Sequence, residues 1–235
     1  MSVTTHRPAF TAPAFITPAF ITFTGVDSAE SIPSMQSLAS QFPIEWGILI
    51  DPAQEGNPLF PTEKERSALL RAGLRLSAHV CGVPARAIVD GRQPELNLGG
   101  FSRVQINHGR TGSSMQEILN SIEYGARAGV RPALQCQGPF PSIMGVDWLY
   151  DTSFGTGAQT DAWPELPAGQ PFCGYAGGLA PDNVQQNLLR MPVATGIPFW
   201  IDMESGVRTD GRFDIAKCAA VCEAVFGPEH GKGAQ

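Results

Sequence analysis

Short runs of apolar, β-prone residues alternate along this chain with longer amphipathic stretches, and each run stops at Gly, Pro, Asn or Asp. The pattern predicts strands at Phe20 to Thr24, Trp46 to Ile50, Leu74 to His79, Arg103 to Ile106, Pro132 to Gln135, Asp147 to Tyr150, Pro171 to Tyr175 and Phe199 to Met203. Helical periodicity falls between them at Ser31 to Gln41, Thr62 to Ala72, Ser114 to Ala128, Pro181 to Arg190 and Phe213 to Phe226, several opened by a residue suited to capping. The segments after the third, fifth and sixth strands read poorly as helices. Strands alternating with helices imply βα units and a parallel sheet, and eight such strands suit closure into an α/β fold, a (β/α)₈ TIM barrel. An open doubly wound sheet is the rival, but it needs a switch in strand order and usually a Gly-x-Gly-x-x-Gly turn after the first strand, which is absent.

The first segment repeats Pro-Ala-Phe at Pro8, Pro13 and Pro18, too short a unit for a repeat domain. Residues 1–18 are expected to be an extended lead-in and 19–235 the barrel. The prolines also interrupt any signal-peptide core, and no run approaches the roughly 18 apolar residues of a membrane span. A net charge of −6 without a Lys or Arg cluster argues against nucleic acid or an anionic membrane as partner, leaving a small molecule. Five cysteines, an odd number set in apolar stretches, read as packed thiols in a reducing cytoplasm. Cys218 and Cys222 are one such pair, on the inner face of the last helix.

Three blocks carry the chemistry: Leu149-Tyr-Asp-Thr-Ser-Phe-Gly-Thr-Gly157, Gly174-Tyr-Ala-Gly-Gly-Leu-Ala-Pro-Asp-Asn-Val184, and Ile201-Asp-Met-Glu-Ser-Gly-Val-Arg-Thr-Asp-Gly211 followed by Phe213-Asp214 and Lys217. Each would follow a barrel strand. There Gly155 and Gly157, Gly177 and Gly178, and Ser205 with Gly206 let backbone N–H groups approach a phosphate closely. One such glycine pair would mean only a tight turn; three successive loops on one face point to a phosphorylated small-molecule substrate.

In order and spacing these blocks resemble phosphoribosylanthranilate isomerase, a (β/α)₈ enzyme of tryptophan biosynthesis, with a weaker echo in Val104-Gln-Ile-Asn-His-Gly109. The resemblance implies that Asp151 is the general acid of an Amadori rearrangement. That acid protonates the ribose ring oxygen, and a base then removes the C2 proton of the opened iminium ion. It implies no cofactor.

The other half of the site departs from that family. Thr22-Phe-Thr-Gly25 stands where the resemblance implies Lys-Ile-Cys-Gly, so Thr24 replaces the basic cysteine. An unassisted threonine hydroxyl does not ionise near neutrality. Leu59 stands where an arginine would hold the anthranilate carboxylate, and an apolar side chain cannot do so. Ala158-Gln159 replaces the lysine after Gly-Thr-Gly.

Base candidates at other strand ends are Asp51, His79, Cys81, Asn107-His108, Asp202 and Glu204, with His79 the best single choice because imidazole titrates near neutral pH. Glu204, beside Ser205, either offsets its charge against Arg208 or repels a phosphate. No metal spacing is present, and none is assigned. Lys64, Lys217 and Lys232 fall in helical or tail segments, which disfavours a Schiff-base aldolase. The expected function is an isomerase-like enzyme acting on a phosphorylated sugar or sugar adduct other than the anthranilate compound. The alternative is a non-catalytic phosphate-ligand-binding barrel, favoured if Phe23, Trp148 or Phe154 plugs the mouth.

Overall fold

The computed structural model describes residues 16–153, 156–160 and 162–227. Gly155, Phe154, Lys232, Pro8, Pro13 and nearly all of the expected lead-in therefore lie outside the described residues. Eight parallel strands close into one barrel: β1 (Phe20–Thr24), β2 (Ile44–Ile50), β3 (Leu76–Val80), β4 (Arg103–Ile106), β5 (Arg131–Cys136), β6 (Asp147–Tyr150), β7 (Cys173–Ala176) and β8 (Phe199–Met203). Closure is direct, because β1 pairs with β2 through Thr24 and Gly47 and with β8 through Thr22 and Asp202. The fold is a single (β/α)₈ TIM barrel, as the alternation of strands and helices implied.

The outer layer consists of α1 (Ile32–Ala39), α2 (Glu63–Leu70), α3 (Gly82–Val89), α4 (Met115–Ala128), α5 (Val184–Leu188) and α6 (Ile215–Phe226). Local sequence explains where several begin and end. Thr62 with Glu65, and Ser114 with Glu117, form reciprocal capping boxes at α2 and α4, and Asp214 accepts from two backbone N–H groups at the start of α6. Gly129, at φ 68°, ends α4 in the left-handed conformation that glycine adopts without steric cost.

One helix was not legible in the pattern. Helix α3 follows the third strand, where no helix was expected, and it buries Pro84, Ala85, Ala87, Ile88 and Val89. It is only eight residues long, opens on Gly82 and has no side-chain hydrogen bond at its N-cap Cys81, so the start signals by which helices are read are missing. After β5 and β6 the described residues form no helix, in keeping with the sequence, and α5 is only five residues long.

Two apolar cores result from the two-residue period of the strands. Outward-facing Phe23, Trp46, Ile48, Val104, Trp148 and Ile201 join the helices in the larger core, whereas Phe20, Leu149, Ala176 and Trp200 form a separate cluster with Phe172 inside the barrel. The interior is also polar. Arg103 on β4 donates to Glu45 on β2 at 2.5 Å and to Thr22 on β1 at 3.2 Å, contacts between distant strands that only the barrel lumen permits. Arg103 also lies over the Trp200 ring at 4.1 Å. This packed layer fills the lumen below the strand ends, so the opening lies at their C-terminal side. No helix among the described residues is long and apolar enough to cross a membrane.

Candidate active site

A cavity of about 550 Å³ opens at the C-terminal ends of the strands, where (β/α)₈ barrels collect side chains from several strands around one point. Thr24, His79, Asp151 and Glu204 all line it, together with Gly157, Gly177, Gly178 and Ser205. The chain thus brings residues from five strand ends, up to 181 positions apart, to one mouth. Of the remaining sequence-derived positions, Gly206 lies just behind the wall and Gly155 outside the described residues.

The loops after β6, β7 and β8 interlock with almost no spare space. A Cβ at Gly157 would sit 2.4 Å from the Ser205 hydroxyl, one at Gly178 2.7 Å from the Gln159 Cα, and one at Gly206 2.0 Å from the Leu179 carbonyl. Gly157 and Gly178 also have φ of 73° and 64°. Their lack of a side chain is thus required twice over, by backbone conformation and by neighbours.

Asp151, at the end of β6, is held firmly. Its Oδ1 accepts from the Ser153 backbone N–H at 2.8 Å and from the Ser153 hydroxyl at 2.7 Å, and its Oδ2 accepts from Gln135 Nε2 at 2.9 Å. Sequence reasoning passed over Gln135. The available signal was a polar residue at a lumen-facing position of β5 (Arg131–Cys136), after the apolar run Pro132-Ala-Leu134.

Opposite in character is the group at the ends of β1, β3 and β8. Thr24 Oγ1 donates to Asp202 Oδ1 at 2.8 Å, while Asp202 Oδ2 stands 3.9 Å from His79 Nε2. Neither Oδ2 nor Nε2 has a hydrogen-bond partner among the described residues, although both are buried. Gly47 on β2 makes room for this cluster, since a Cβ there would lie 2.4 Å from Thr24 Oγ1 and 3.0 Å from His79 Nε2. Burial pushes the Asp202 carboxyl up to about 8, against the lowering effect of the Thr24 hydrogen bond and the Arg103 charge. Burial, helped by Arg103, pulls the His79 imidazole down to about 3, which keeps it neutral.

Other candidates resolve differently. Burial raises the Cys81 thiol to about 11, so it is no thiolate at neutral pH. Asp51 caps a turn by accepting from the Ala53 N–H, and His108 contacts Ser113 and the Arg110 N–H; neither lines the cavity. Arg208 does not hydrogen-bond to Glu204. It donates to the Gly25 carbonyl at 2.7 Å, to Asp27 at 2.8 Å and to the Gly211 carbonyl. Burial raises the Glu204 carboxyl, with Arg208 opposing and Asp151 reinforcing the shift.

Leu49, Leu59 and Phe60 give one side of the cavity an apolar wall. Leu59 has φ 81°, an unusual backbone state for a branched side chain. Among the described residues, no lysine or arginine lines the cavity and no group of three or more potential metal ligands occurs. Phe23 and Trp148 point into the helix-facing core and leave the mouth open; Phe154 lies outside the described residues.

Eight strands around a filled lumen, with polar side chains gathered at their C-terminal ends, define the class: a TIM barrel with the layout of the enzymes built on that fold. The sequence profile of N-(5'phosphoribosyl)anthranilate (PRA) isomerase matches residues 102–224, more than half of the chain, so this chain belongs to that family. Among solved structures, it is similar to N-(5'-phosphoribosyl)anthranilate isomerase from Pyrococcus furiosus, at 12% identity and a TM-score of 0.55, over 88% of this chain and 98% of that one. It is also similar to orotidine 5'-monophosphate decarboxylase from Methanocaldococcus jannaschii, solved with the inhibitor BMP, at 8% identity and a TM-score of 0.50, over 90% and 100% of the two chains. At such identities the likeness is one of fold. No curated protein sequence matches the chain.

Proposed function

We propose that this protein is an isomerase of the Amadori type, acting on a 5-phosphorylated sugar carrying an N-linked group that bears no carboxylate. The phosphate is received by the loops after β6, β7 and β8, at Gly155, Gly157, Gly177, Gly178, Ser205 and Gly206, and Asp151 is the acid that opens the sugar ring. The observation that carries this reading is the interlocked set of loops around Gly157, Gly178 and Gly206, of which Gly157, Gly178 and Ser205 line the same cavity as Asp151. Small residues there expose backbone N–H groups, a chemistry suited to phosphate.

The altered substrate follows from the opposite wall. Leu49, Leu59 and Phe60 offer an N-linked ring apolar contact, and among the described lining residues there is no cation to pair the carboxylate of anthranilate. A desolvated carboxylate without a partner is strongly disfavoured. Turnover of N-(5'-phosphoribosyl)anthranilate at ordinary enzyme rates would refute this part of the proposal. Loss of turnover of the preferred substrate in Asp151→Asn, with phosphate binding retained, is the expected result for the acid. A phosphorylated sugar that raises the melting temperature but is never converted, even with its N-linked group varied, would instead identify a binding barrel.

A further inference from the structure

The isomerase reading leaves one chemical role unfilled, because no thiol stands at the end of β1 to remove the C2 proton. We propose that Asp202 is the proton acceptor of this site, with Thr24 and His79 as positioning residues that hold its carboxyl; this rests on the isomerase reading above. Asp202 lies at the end of β8, is only 6% exposed, and lines the same cavity as Asp151. Thr24 Oγ1 fixes Oδ1 at 2.8 Å, and Oδ2 has no hydrogen bond to any described residue. A buried carboxyl oxygen that the protein itself leaves unpaired costs free energy, and at a cavity wall such an oxygen suits a group that acts on a ligand.

His79 supports the same assignment. Its Nε2 faces Oδ2 across 3.9 Å, too long for a hydrogen bond, and is itself unpartnered. Gly47 contributes no side chain that could close the space. Two of the three carboxyls that line the cavity, Asp151 and Asp202, are therefore prepared for unlike tasks. Both oxygens of Asp151 are already engaged, by Ser153 and Gln135, whereas one oxygen of Asp202 has no hydrogen-bond partner among the described residues.

Electrostatics agree with the geometry. The groups acting on Asp202 are Thr24 on β1, Glu45 on β2, Arg103 on β4 and Asp151 on β6, with neutral His79 facing it from β3. Burial dominates and lifts the carboxyl to about 8, and a carboxylate of that basicity is a better acceptor of a carbon-bound proton than an ordinary one.

The step balances without a co-reactant. Protonation of the ring oxygen breaks its bond to C1, and the nitrogen lone pair forms the C1=N iminium. Asp202 Oδ2 then takes the C2 proton, the C–H electron pair becomes the C1=C2 bond, and the C=N pair returns to nitrogen. The resulting enaminol becomes the ketone when C1 gains the proton that Asp202 took and the C2 hydroxyl gives up its own, which restores the one Asp151 donated.

Aniline and ribose 5-phosphate condense to an N-(5-phosphoribosyl) arylamine without a carboxylate, which serves as the probe, made with either hydrogen or deuterium at C2. The wild-type protein is expected to form the aminoketose, more slowly from the deuterated probe, with kcat rising as pH approaches about 8, where burial has placed the Asp202 carboxyl. Asp202→Asn should lower kcat by at least about 100-fold with KM within about threefold. Thr24→Val removes the hydrogen bond that lowers Asp202, so its kcat profile should shift to higher pH; a purely structural threonine would leave the profile in place.

If Asp202→Asn stays within threefold of wild type while Asp151→Asn is inactive, Asp202 is not the acceptor and the isomerase reading survives. If Asp202→Asn does not fold, an unshifted Thr24→Val profile overturns the assignment and a shifted one upholds it. If the wild-type protein makes no aminoketose, the isomerase reading fails and the assignment fails with it.

Discussion

Arg103→Leu severs the ion pair inside the barrel, and its cost can be reckoned from what remains. The Glu45 side chain is 0% exposed and takes the Arg103 guanidinium at 2.5 Å, with Thr22 donating at 3.2 Å, Arg75 at 3.1 Å and Ser102 at 3.3 Å. Removing one partner of a buried pair costs about 3–5 kcal/mol, chiefly because the other charge stays buried. Arg75 still reaches Glu45, but from a side chain 47% exposed, so it compensates only in part. This places the expected loss near the lower end, about 3 kcal/mol.

With a urea m-value of about 3 kcal/mol per M, the unfolding midpoint should fall by about 1 M. Arg75→Leu, which removes the exposed partner, should cost less than about 1 kcal/mol. Glu45→Gln combined with Arg103→Leu deletes both charges and should be more stable than Arg103→Leu alone. Equilibrium urea titrations of the three variants measure all of this. An Arg103→Leu loss below about 1 kcal/mol, or a double variant weaker than Arg103→Leu, would show that the desolvated charge of Glu45 does not control the balance.

Three further outcomes are expected. Gly157→Ala forces a Cβ to 2.4 Å from the Ser205 hydroxyl, whereas Gly169, also at positive φ, has nothing within 4 Å of its Cβ position; Gly157→Ala should therefore weaken inorganic phosphate binding, read by thermal shift, and Gly169→Ala should not. Equal effects in the two variants would refute the close approach of these loops.

Stability should vary with pH in two windows of opposite sign. Asp202, raised to about 8, binds its proton more tightly folded than unfolded, so its contribution is lost as pH rises from the ordinary carboxyl range to about 8. His79, lowered to about 3, resists protonation when folded, so stability is lost as pH falls from the ordinary imidazole range toward 3. In Asp202→Asn the alkaline decline of the melting temperature between pH 6.5 and 8 should flatten, and an unchanged slope there would refute the raised carboxyl. Finally, Glu204→Gln removes a carboxylate beside Ser205 and should tighten inorganic phosphate binding by about tenfold at low salt, with the gain shrinking as salt rises; weaker binding would mean that Glu204 helps rather than opposes the anion.

The linear pattern was sufficient for the eight strands, because strand burial, β-branched residues and Gly or Pro punctuation are local signals. Phe20–Thr24, Arg103–Ile106, Asp147–Tyr150 and Phe199–Met203 coincide with their expected bounds. The three Gly-rich blocks and the family to which they belong were legible for the same reason, since a backbone conformation that only glycine tolerates leaves its mark residue by residue. Helix α3 was not, because it is short, opens on Gly82 and carries no capping side chain at Cys81. Nor was the partner of Arg208, which turned out to be Asp27, 181 positions away, and not the neighbouring Glu204.

Above all, Thr24, His79 and Asp202 could be named as strand-end residues but not joined, since 178 positions separate Thr24 from its hydrogen-bond partner. Which oxygen of Asp202 is satisfied, which is left open, and how far burial lifts its proton affinity depend on closure of β8 against β1 and on the missing side chain at Gly47. The sequence by itself determined the barrel and its glycine loops; the tertiary structure decided the chemistry of the opposite wall, because desolvation and cross-strand hydrogen bonding exist only once the barrel has closed.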